Sequence, residues 1–567
     1  MVNRLSDILT KESILTDTIY AALKNESTLE PIKIIQSIIE DANKNHKEAW
    51  ILFMDISKAY DSVNTTMLEL AMKRIKLPKR FIDLVMDISL NRYNRVIVNN
   101  EMTEEYHVED GLDQGEVWSP ILWRIFYDAL LARINEIKED TGYNFNEDKI
   151  IDLRKMETEN LNISINVTAF IDDTTLISRD KKGLEKLIEI CHQFFDINDI
   201  KANIGKYELI KINSMSENLE IKGEKILKMN SEEGNRYLGI FFRYDNKRKI
   251  YKDKINSIIN SACNIFNWKR LSEKQIIVVW NMVIIPRIEY QLAAIVLTKE
   301  ECYKMMTRIN MIIKKRAGLA RSTPNFIIFD KDIYGLKHIY DLQLEMLCKN
   351  LLYQGNGNEK LRKLFKINIS QEQKRIWISK CPGDMTLSSR NKNNWIIAAL
   401  KILNNENITI CDHELNNNIN KNHIIQGGKL DITEIIDEKN ILKSAISRRN
   451  KNIMFIEDVL EADGTKMMKW KHLCKELGVS IKGKIPVWFK DLEAKLLENT
   501  NGNTRKIKNE YIGRTVKNNI HINYYDENER TVKNNLISWN EPGEFPIFAL
   551  DKKKSNSKNY KRIGYII

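Results

Sequence analysis

The 567-residue sequence predicts an α+β fold of two to four domains. Three observations carry that expectation. Trp50-Ile51-Leu52-Phe53-Met54 is an unbroken apolar run that ends at Asp55, as a buried strand would. In Ala169-Phe170-Ile171-Asp172-Asp173-Thr174-Thr175-Leu176-Ile177, apolar residues flank a polar pair on both sides, which reads as the tight tip of a β-hairpin. Residues 246–350 show helical spacing, with Ile255, Ile258, Ile259 and Ala262 followed by Ile276 to Ile285.

The paired aspartates carry the chemistry. Ionised carboxylates repel each other, and a low-dielectric hairpin makes that worse. A divalent cation such as Mg²⁺ removes the conflict because it takes hard oxygen ligands. One Asp leaving one strand and two on a hairpin beside it could hold two metal ions about 4 Å apart, as phosphoryl-transfer enzymes do. Adjacent aspartates are also ordinary turn chemistry. Order along the chain decides between the readings.

Three more segments stand in that order: Asp55-Ile56-Ser57-Lys58-Ala59-Tyr60-Asp61-Ser62-Val63; Gly111-Leu112-Asp113-Gln114-Gly115-Glu116-Val117-Trp118-Ser119-Pro120-Ile121-Leu122; and Arg236-Tyr237-Leu238-Gly239-Ile240. Each is weak alone. In combination the sequence resembles a reverse transcriptase of the non-LTR (LINE-type) retrotransposon kind, over roughly residues 4 to 345. The resemblance implies a right-hand polymerase: a palm with an antiparallel sheet, partial fingers and a helical thumb, followed by a mainly helical C-terminal region. It implies catalytic roles for Asp55, Asp172 and Asp173, with Asp55, Asp172 and the Ile56 carbonyl as ligands of two Mg²⁺ (or Mn²⁺) ions. Asp173 would support them electrostatically.

Further roles follow from the same resemblance. Tyr60 stands at the family's steric gate, where its ring would exclude a ribose 2′-hydroxyl; a core aromatic is the other reading. Gln114 would contact the incoming nucleotide, and Gly115 would let the backbone approach it. Lys206, in Asn203–Ile210, would neutralise or protonate the leaving pyrophosphate; an ordinary surface lysine is the alternative. Tyr237, Leu238 and Gly239 would form the primer-grip turn. Ile171 stands where Ala is common, and Glu116 places an acid near the nucleotide path. Asp61 reads as structural.

Composition agrees. The chain holds 89 Lys+Arg against 77 Asp+Glu, a net charge of +12, which favours a polyanionic partner. Met1 to Asp7 lacks a signal peptide's apolar region. The longest apolar stretch, Ile276 to Ile285, is too short for a membrane span and is broken by Asn281. Seven cysteines with no C-x-x-C fit a reducing compartment. Cys411-x-His413 and His472-x-Cys474 have the wrong spacing for a zinc knuckle.

In chain order, residues 1–54 read as partial fingers. Ser27-Thr28-Leu29-Glu30-Pro31 reads as a helix cap, and Ile32, Ile35, Ile39 and Ala42 mark one helical face. Only these residues precede Asp55, so the upstream strands of complete family members are expected to be missing or supplied from elsewhere. Residues 55–245 would be the palm with a fingers insertion. Within it, helices span Thr66 to Ile75 and Arg80 to Ser89. Arg95–Val98 pairs with Glu105–Val108 around a turn at Asn99-Asn100. Ser119-Pro120 opens a long helix, and Gly183 to Phe195 forms another. Residues 246–354 would be the thumb, with Lys269, Arg270, Lys274, Lys314, Lys315, Arg316 and Arg321 as a duplex-tracking surface or a solvated face. Gly355-Asn356-Gly357-Asn358 is the linker candidate. Residues 355–567 carry no assigned role. Ile547 to Asp551 and Arg562 to Ile567 could be the first hairpin of a truncated ribonuclease H domain, so no nuclease activity is expected.

The implied function is RNA-directed DNA synthesis: dNMP transfer to a primer 3′-hydroxyl on an RNA template, inside the cell and in the nucleus. The rivals are an RNA-dependent RNA polymerase or intron maturase with a similar palm, and a catalytically silent nucleic-acid-binding relic.

Overall fold

The computed structural model describes residues 2–511, apart from 25, 91, 109, 216–218, 227, 385–393, 413–416, 419–423, 462–463, 481–482 and 499–504, together with Phe548–Lys552. The chain divides into two compact units. The first is Met1–Phe145 with Asn162–Ser257, and the second is Asn146–Leu161 with Ile258–Ile567.

The first unit is built on a sheet of mixed direction. Its main strands are β1 (Ala49–Met54), β2 (Val167–Phe170), β3 (Asp173–Ser178) and β4 (Glu208–Ile212), in the order β2-β3-β1-β4, all antiparallel. Lys228–Met229 adds a short parallel strand beside β4. β1 is central and buried along its whole length, which is why its sequence is an apolar run without alternation. Trp50, Leu52 and Met54 join a core with Val167, Ala169, Leu176 and Leu209. Helices Ser119–Glu136 and Lys181–Ile197 close that core with Trp123, Tyr127, Leu184 and Cys191. Burying a side chain of this kind contributes about 1.5–3 kcal/mol each.

Helix Leu29–Asn45 lies against β1, β2 and β4. It departs from the expected single apolar face. Ile34 and Ile38 are as buried as Ile35 and Ile39, and Glu30, Lys33, Gln36 and Asp41 are buried too. Periodicity marks which face is apolar; it does not register neighbours that cover polar positions. Asp41, for example, accepts from the Tyr143 hydroxyl at 2.6 Å and pairs with Lys47 at 3.1 Å. The expected cap also differs. Thr28 makes no side-chain cap bond, and the Ser27 hydroxyl receives the Leu29 N–H at 3.2 Å instead.

The expected helices appear at Thr65–Arg74 and Lys79–Leu90. The hairpin after them pairs differently. Asn99 and Asn100 both adopt positive φ, so their two-residue turn forces Ile97 opposite Met102; Arg92–Asn94 then pairs with Tyr106–Val108. The register moves by one residue between the two ladders.

The second unit is mainly helical, with helices including Glu273–Val279, Ile285–Leu292, Lys299–Arg316, Ile339–Asn356, Glu359–Ile376 and Val487–Leu496. Gly355-Asn356-Gly357-Asn358 is not a linker between domains. Gly355 and Asn356 finish one helix, and the Asn358 side chain caps the next by accepting the Leu361 N–H at 3.0 Å. A Cβ on Gly357 would meet the Tyr353 carbonyl at 2.8 Å, so glycine is needed for the close turn. The hairpin Asp148–Asp152/Glu157–Asn160 belongs to this unit. Glu147 pairs with Lys374 at 2.7 Å, and Glu159 with Lys366 at 3.0 Å.

The basic cluster assigned to the thumb is only partly free. Lys314 is 5% exposed and donates to the Arg321 carbonyl. The Arg316 guanidinium caps a helix end through the carbonyls of Phe266, Asn267 and Lys269. Lys269, Arg270, Lys274, Lys315 and Arg321 are exposed, beside a Trp268 that is 90% exposed.

Phe548–Lys552 pairs antiparallel with Ile408–Asp412; the other half of the suggested terminal hairpin, and His413 of the zinc quartet, lie outside the described residues. Among the described residues, no helix is long and apolar enough to cross a membrane.

Candidate active site

The site forms where β1 ends and β3 begins. Met54 pairs with Thr174, so the next residues, Asp55 and Asp173, face each other across the two strand ends. Asp172 occupies the two-residue turn between Phe170 and Asp173. Its neighbour Ile171 sits at φ 57°, a left-handed conformation that costs a β-branched residue on the order of 1–3 kcal/mol. The turn is held from below: the Trp123 indole N–H donates to the Ile171 carbonyl at 2.9 Å. The Tyr127 hydroxyl meets the Thr174 hydroxyl at 2.9 Å, fixing the start of β3.

The electrostatics match a carboxylate cluster short of positive charge. Partial loss of water and the charge of Asp55 push the Asp172 carboxyl above its ordinary range. Asp173 is pushed up to about 6 by loss of water around its carboxyl, by Asp172 and by Asp55, with Arg236 pulling the other way. Among the described residues, neither Asp172 nor Asp173 forms an ion pair. Asp55 does: its Oδ2 lies 3.2 Å from the Lys206 ammonium.

Lys206 is delivered by the backbone. Ser57 N–H donates to the Lys201 carbonyl at 3.0 Å and Asn203 N–H to the Asp55 carbonyl at 3.1 Å, flanking a bridge between Ile56 and Ala202. In such a pair the carbonyls alternate in direction. Asp55 therefore turns its carbonyl toward residues 201–203, and Ile56 turns its own toward the side of β3.

Tyr60 opens a short helical turn, Tyr60–Ser62, and is half-buried. Its ring tilts against Trp123 at 5.8 Å, and burial with the nearby Asp172 charge raises its hydroxyl's pKa. The Tyr60 carbonyl accepts Leu112 N–H at 2.8 Å and the Val63 carbonyl accepts Gly111 N–H at 2.9 Å, so two of the sequence motifs are joined by main chain. Gly111, at φ 91°, is required there because a Cβ would meet the Asp61 carbonyl at 2.9 Å.

Gln114 and Gly115 occupy an exposed turn, and Gln114 bonds to none of the carboxylates. Glu116 accepts from the Trp118 indole at 2.9 Å. Tyr237, Leu238 and Gly239 form the turn of hairpin Asn235–Tyr237/Ile240–Phe242, with Leu238 and Gly239 at positive φ. The Tyr237 ring packs at 5.2 Å on Phe53, two residues before Asp55.

The donor set fits a hard divalent cation in kind: the carboxylates of Asp172 and Asp173, both held above their ordinary pKa with the Asp55 charge as one cause, and an Ile56 carbonyl turned to their side. It is not closed in place. Among the described residues, no group of three or more His, Cys, Asp or Glu side chains converges enough to hold a metal ion.

Sequence reasoning missed Trp123 and Arg236. Trp123 sits in the apolar run of the helix that Ser119-Pro120 opens, yet a buried indole N–H needs an acceptor, and that requirement was the available signal. Arg236 had none beyond its place in the Tyr237 segment.

Residues 1–242 match the family described as reverse transcriptase (RNA-dependent DNA polymerase). The chain is 25% identical over 174 residues to the Pol polyprotein of retrotransposable element R2DM of Drosophila melanogaster, covering 30% of this chain and 15% of that protein. It is 26% identical over 160 residues to the R2 Pol polyprotein of Nasonia vitripennis, covering 28% and 14%. The matches thus span less than a fifth of the length of those relatives. Among solved structures, a Candida albicans telomerase complexed with a telomeric RNA fragment aligns at 11% identity over 65% of this chain and 54% of that one, TM-score 0.32. A Candida tropicalis telomerase complex aligns at 13% identity over 65% and 56%, TM-score 0.34. On the family match and the R2 relatives, residues 1–242 of this chain are a reverse transcriptase domain akin to those of non-LTR retrotransposable elements.

Proposed function

We propose that the chain is an RNA-directed DNA polymerase of a retroelement, adding dNMP to a primer 3′-hydroxyl on an RNA template. The observation that supports it most is the meeting of Asp55, Asp172 and Asp173 at adjacent strand ends, two of them with no ion-pair partner among the described residues. In this reading Asp55, Asp172 and the Ile56 carbonyl hold two Mg²⁺ or Mn²⁺ ions. Such ions lower the pKa of a hydroxyl nucleophile and offset charge in an in-line displacement. Asp173 adds negative charge that favours cation binding. Trp123 keeps the Asp172 turn in one conformation, so no reorganisation is needed when substrate arrives. The Tyr237–Gly239 turn, whose Tyr237 ring packs on Phe53 of β1 two residues before Asp55, suits placement of the primer end. Gln114 and Gly115 meet the nucleotide from the opposing exposed turn. Lys269, Arg270, Lys274, Lys315 and Arg321 supply phosphate contacts that position without specifying sequence.

Tyr60 decides which sugar is used. Its ring is half-buried on Trp123, a contact that would brace it against an entering 2′-hydroxyl. Primer extension on poly(rA)/oligo(dT) tests the proposal. The full chain with Mn²⁺ or Mg²⁺ should extend with dTTP and poorly with UTP. Tyr60→Val should raise UTP use by at least about tenfold, the scale of a pocket contact worth ~1–3 kcal/mol. Preference of the parent protein for UTP would favour an RNA polymerase, and failure to extend with either would favour a silent nucleic-acid binder.

A further inference from the structure

We propose that Lys206 is a built-in counter-ion of Asp55 that competes with the divalent cation for the same carboxylate, so that uptake of Asp55 by a cation raises the share of Lys206 that is free toward a leaving pyrophosphate. The inference rests on the polymerase reading of the site and adds an order of events to it.

Three observations carry it. The Lys206 ammonium lies 3.2 Å from Asp55 Oδ2, and among the described residues Lys206 has no other acidic partner. The root of the side chain is fixed rather than free to swing. The chain from Lys201 to Asn203 is registered on Asp55–Ser57 by two main-chain bonds, and Lys206 N–H closes the following turn on the Asn203 carbonyl at 3.0 Å. Finally, Asp55 faces Asp173 across the strand ends, yet among the described residues no three acidic side chains converge to enclose an ion. Pairing with Lys206 accounts for that open arrangement, because the carboxylate oxygen is engaged on the side of residues 201–206.

The two states differ in where one positive charge sits. With Lys206 on Asp55, the cluster of Asp55, Asp172 and Asp173 is partly neutralised and the lysine is occupied. With Asp55 turned to the cation, the neutralisation is taken over, and Lys206 stands free at the edge of the site. No bond is made or broken and the ammonium keeps its proton. The coupling biases the site: positive charge for the departing phosphates is offered more readily in the loaded state.

Side-chain exposure of 65% for Lys206 and 40% for Asp55 sets the size of the effect. Exposed pairs are weak, so removing the lysine should tighten cation binding by about three- to fivefold, not by orders of magnitude. The test is Mn²⁺ titration of the full chain by electron paramagnetic resonance, without nucleotide or nucleic acid. The variants are Lys206→Met, Lys206→Arg, Asp55→Asn, and Lys201→Met as a neighbouring charge that does not pair with Asp55. Lys206→Met should lower the apparent Kd by about three- to fivefold. Lys206→Arg and Lys201→Met should stay within about twofold of the parent, and Asp55→Asn should weaken binding strongly. Equal affinity of parent and Lys206→Met overturns the inference. So does equal tightening by Lys201→Met, which would reduce the effect to general charge, and so does lack of Mn²⁺ binding in every variant. Primer extension is scored separately. A tightened Kd in a protein that extends no primer would keep the counter-ion and sink the polymerase reading; extension without the Kd shift would do the reverse.

Discussion

Charge is handled in opposite ways in the two compact units. In the second, Arg448 is 0% exposed, and its guanidinium donates to the carbonyls of Trp377 at 2.7 Å and Ile376 at 3.1 Å and to the Ser444 hydroxyl at 3.0 Å. Burial lowers its pKa to about 10, yet its partners keep the cost tolerable. In the first, Asp172 and Asp173 sit half-buried and exposed at a turn tip, are each held above the ordinary carboxyl pKa by loss of water and by the Asp55 charge, with Asp172 also raising Asp173, and form no ion pair among the described residues. A buried charge surrounded by acceptors is architecture. Acids pressed together without a counter-charge cost stability and suit a cation that arrives from solution. The contrast separates structural from chemical charge better than residue type does.

The comparison breaks most visibly if Arg448 proves dispensable. Arg448→Met should lower unfolding stability by about 3 kcal/mol, since several buried carbonyls lose their donor. Urea denaturation of the full chain checks it, and a loss below about 1 kcal/mol would contradict the structural role.

A smaller effect is expected where architecture supports chemistry. Trp123→Phe removes the bond to the strained Ile171 turn but keeps most of the packing. Turnover should fall about tenfold while KM for dNTP stays within about twofold, as for a group that positions the turn. A KM change without loss of turnover would place Trp123 in nucleotide binding instead.

The smallest effect tests the cost of the acids themselves. The Asp173 carboxyl is pushed up to about 6 in the fold, so its protonated form is favoured there. Stability from this group is therefore complete below about pH 4 and lost as pH rises through about 6. Asp173→Asn should stabilise the metal-free protein at pH 7.5 by on the order of 1 kcal/mol, discounted for solvent screening at an exposed tip. At pH 4 the gain should vanish; a gain of equal size at both pH values would assign it to something other than this charge.

Much of the site was legible in the sequence because its signals are local. An apolar run ending in Asp55 gives β1, and two acids between apolar stretches give the β2–β3 turn. The reverse transcriptase resemblance then put Tyr60, Lys206 and Tyr237 in order. What the sequence did not show depends on partners distant along the chain. Nothing local says that Lys314 is buried or that Arg316 caps another helix, so a basic run looked like a free surface. The Asn99-Asn100 turn was visible, but its two-residue geometry, not the apolar pattern, set the strand register. Glycine-rich Gly355–Asn358 looked like a linker because a tight helix–helix turn and a domain boundary use the same residues. The hairpin Asp148–Asp152/Glu157–Asn160 joins the second unit through Glu147 and Glu159, contacts with Lys374 and Lys366 more than 200 positions away.

The central claim is that the acids at the ends of β1 and β3 are kept at the expense of stability because they perform the reaction. Asp172→Asn tests it when extension of oligo(dT) on poly(rA) and metal-free melting are measured on the same preparation. The account predicts activity lower by at least about a thousandfold, roughly 4 kcal/mol of barrier, with a melting temperature equal to or above that of the parent. Retained activity, or a marked fall in melting temperature, would contradict it.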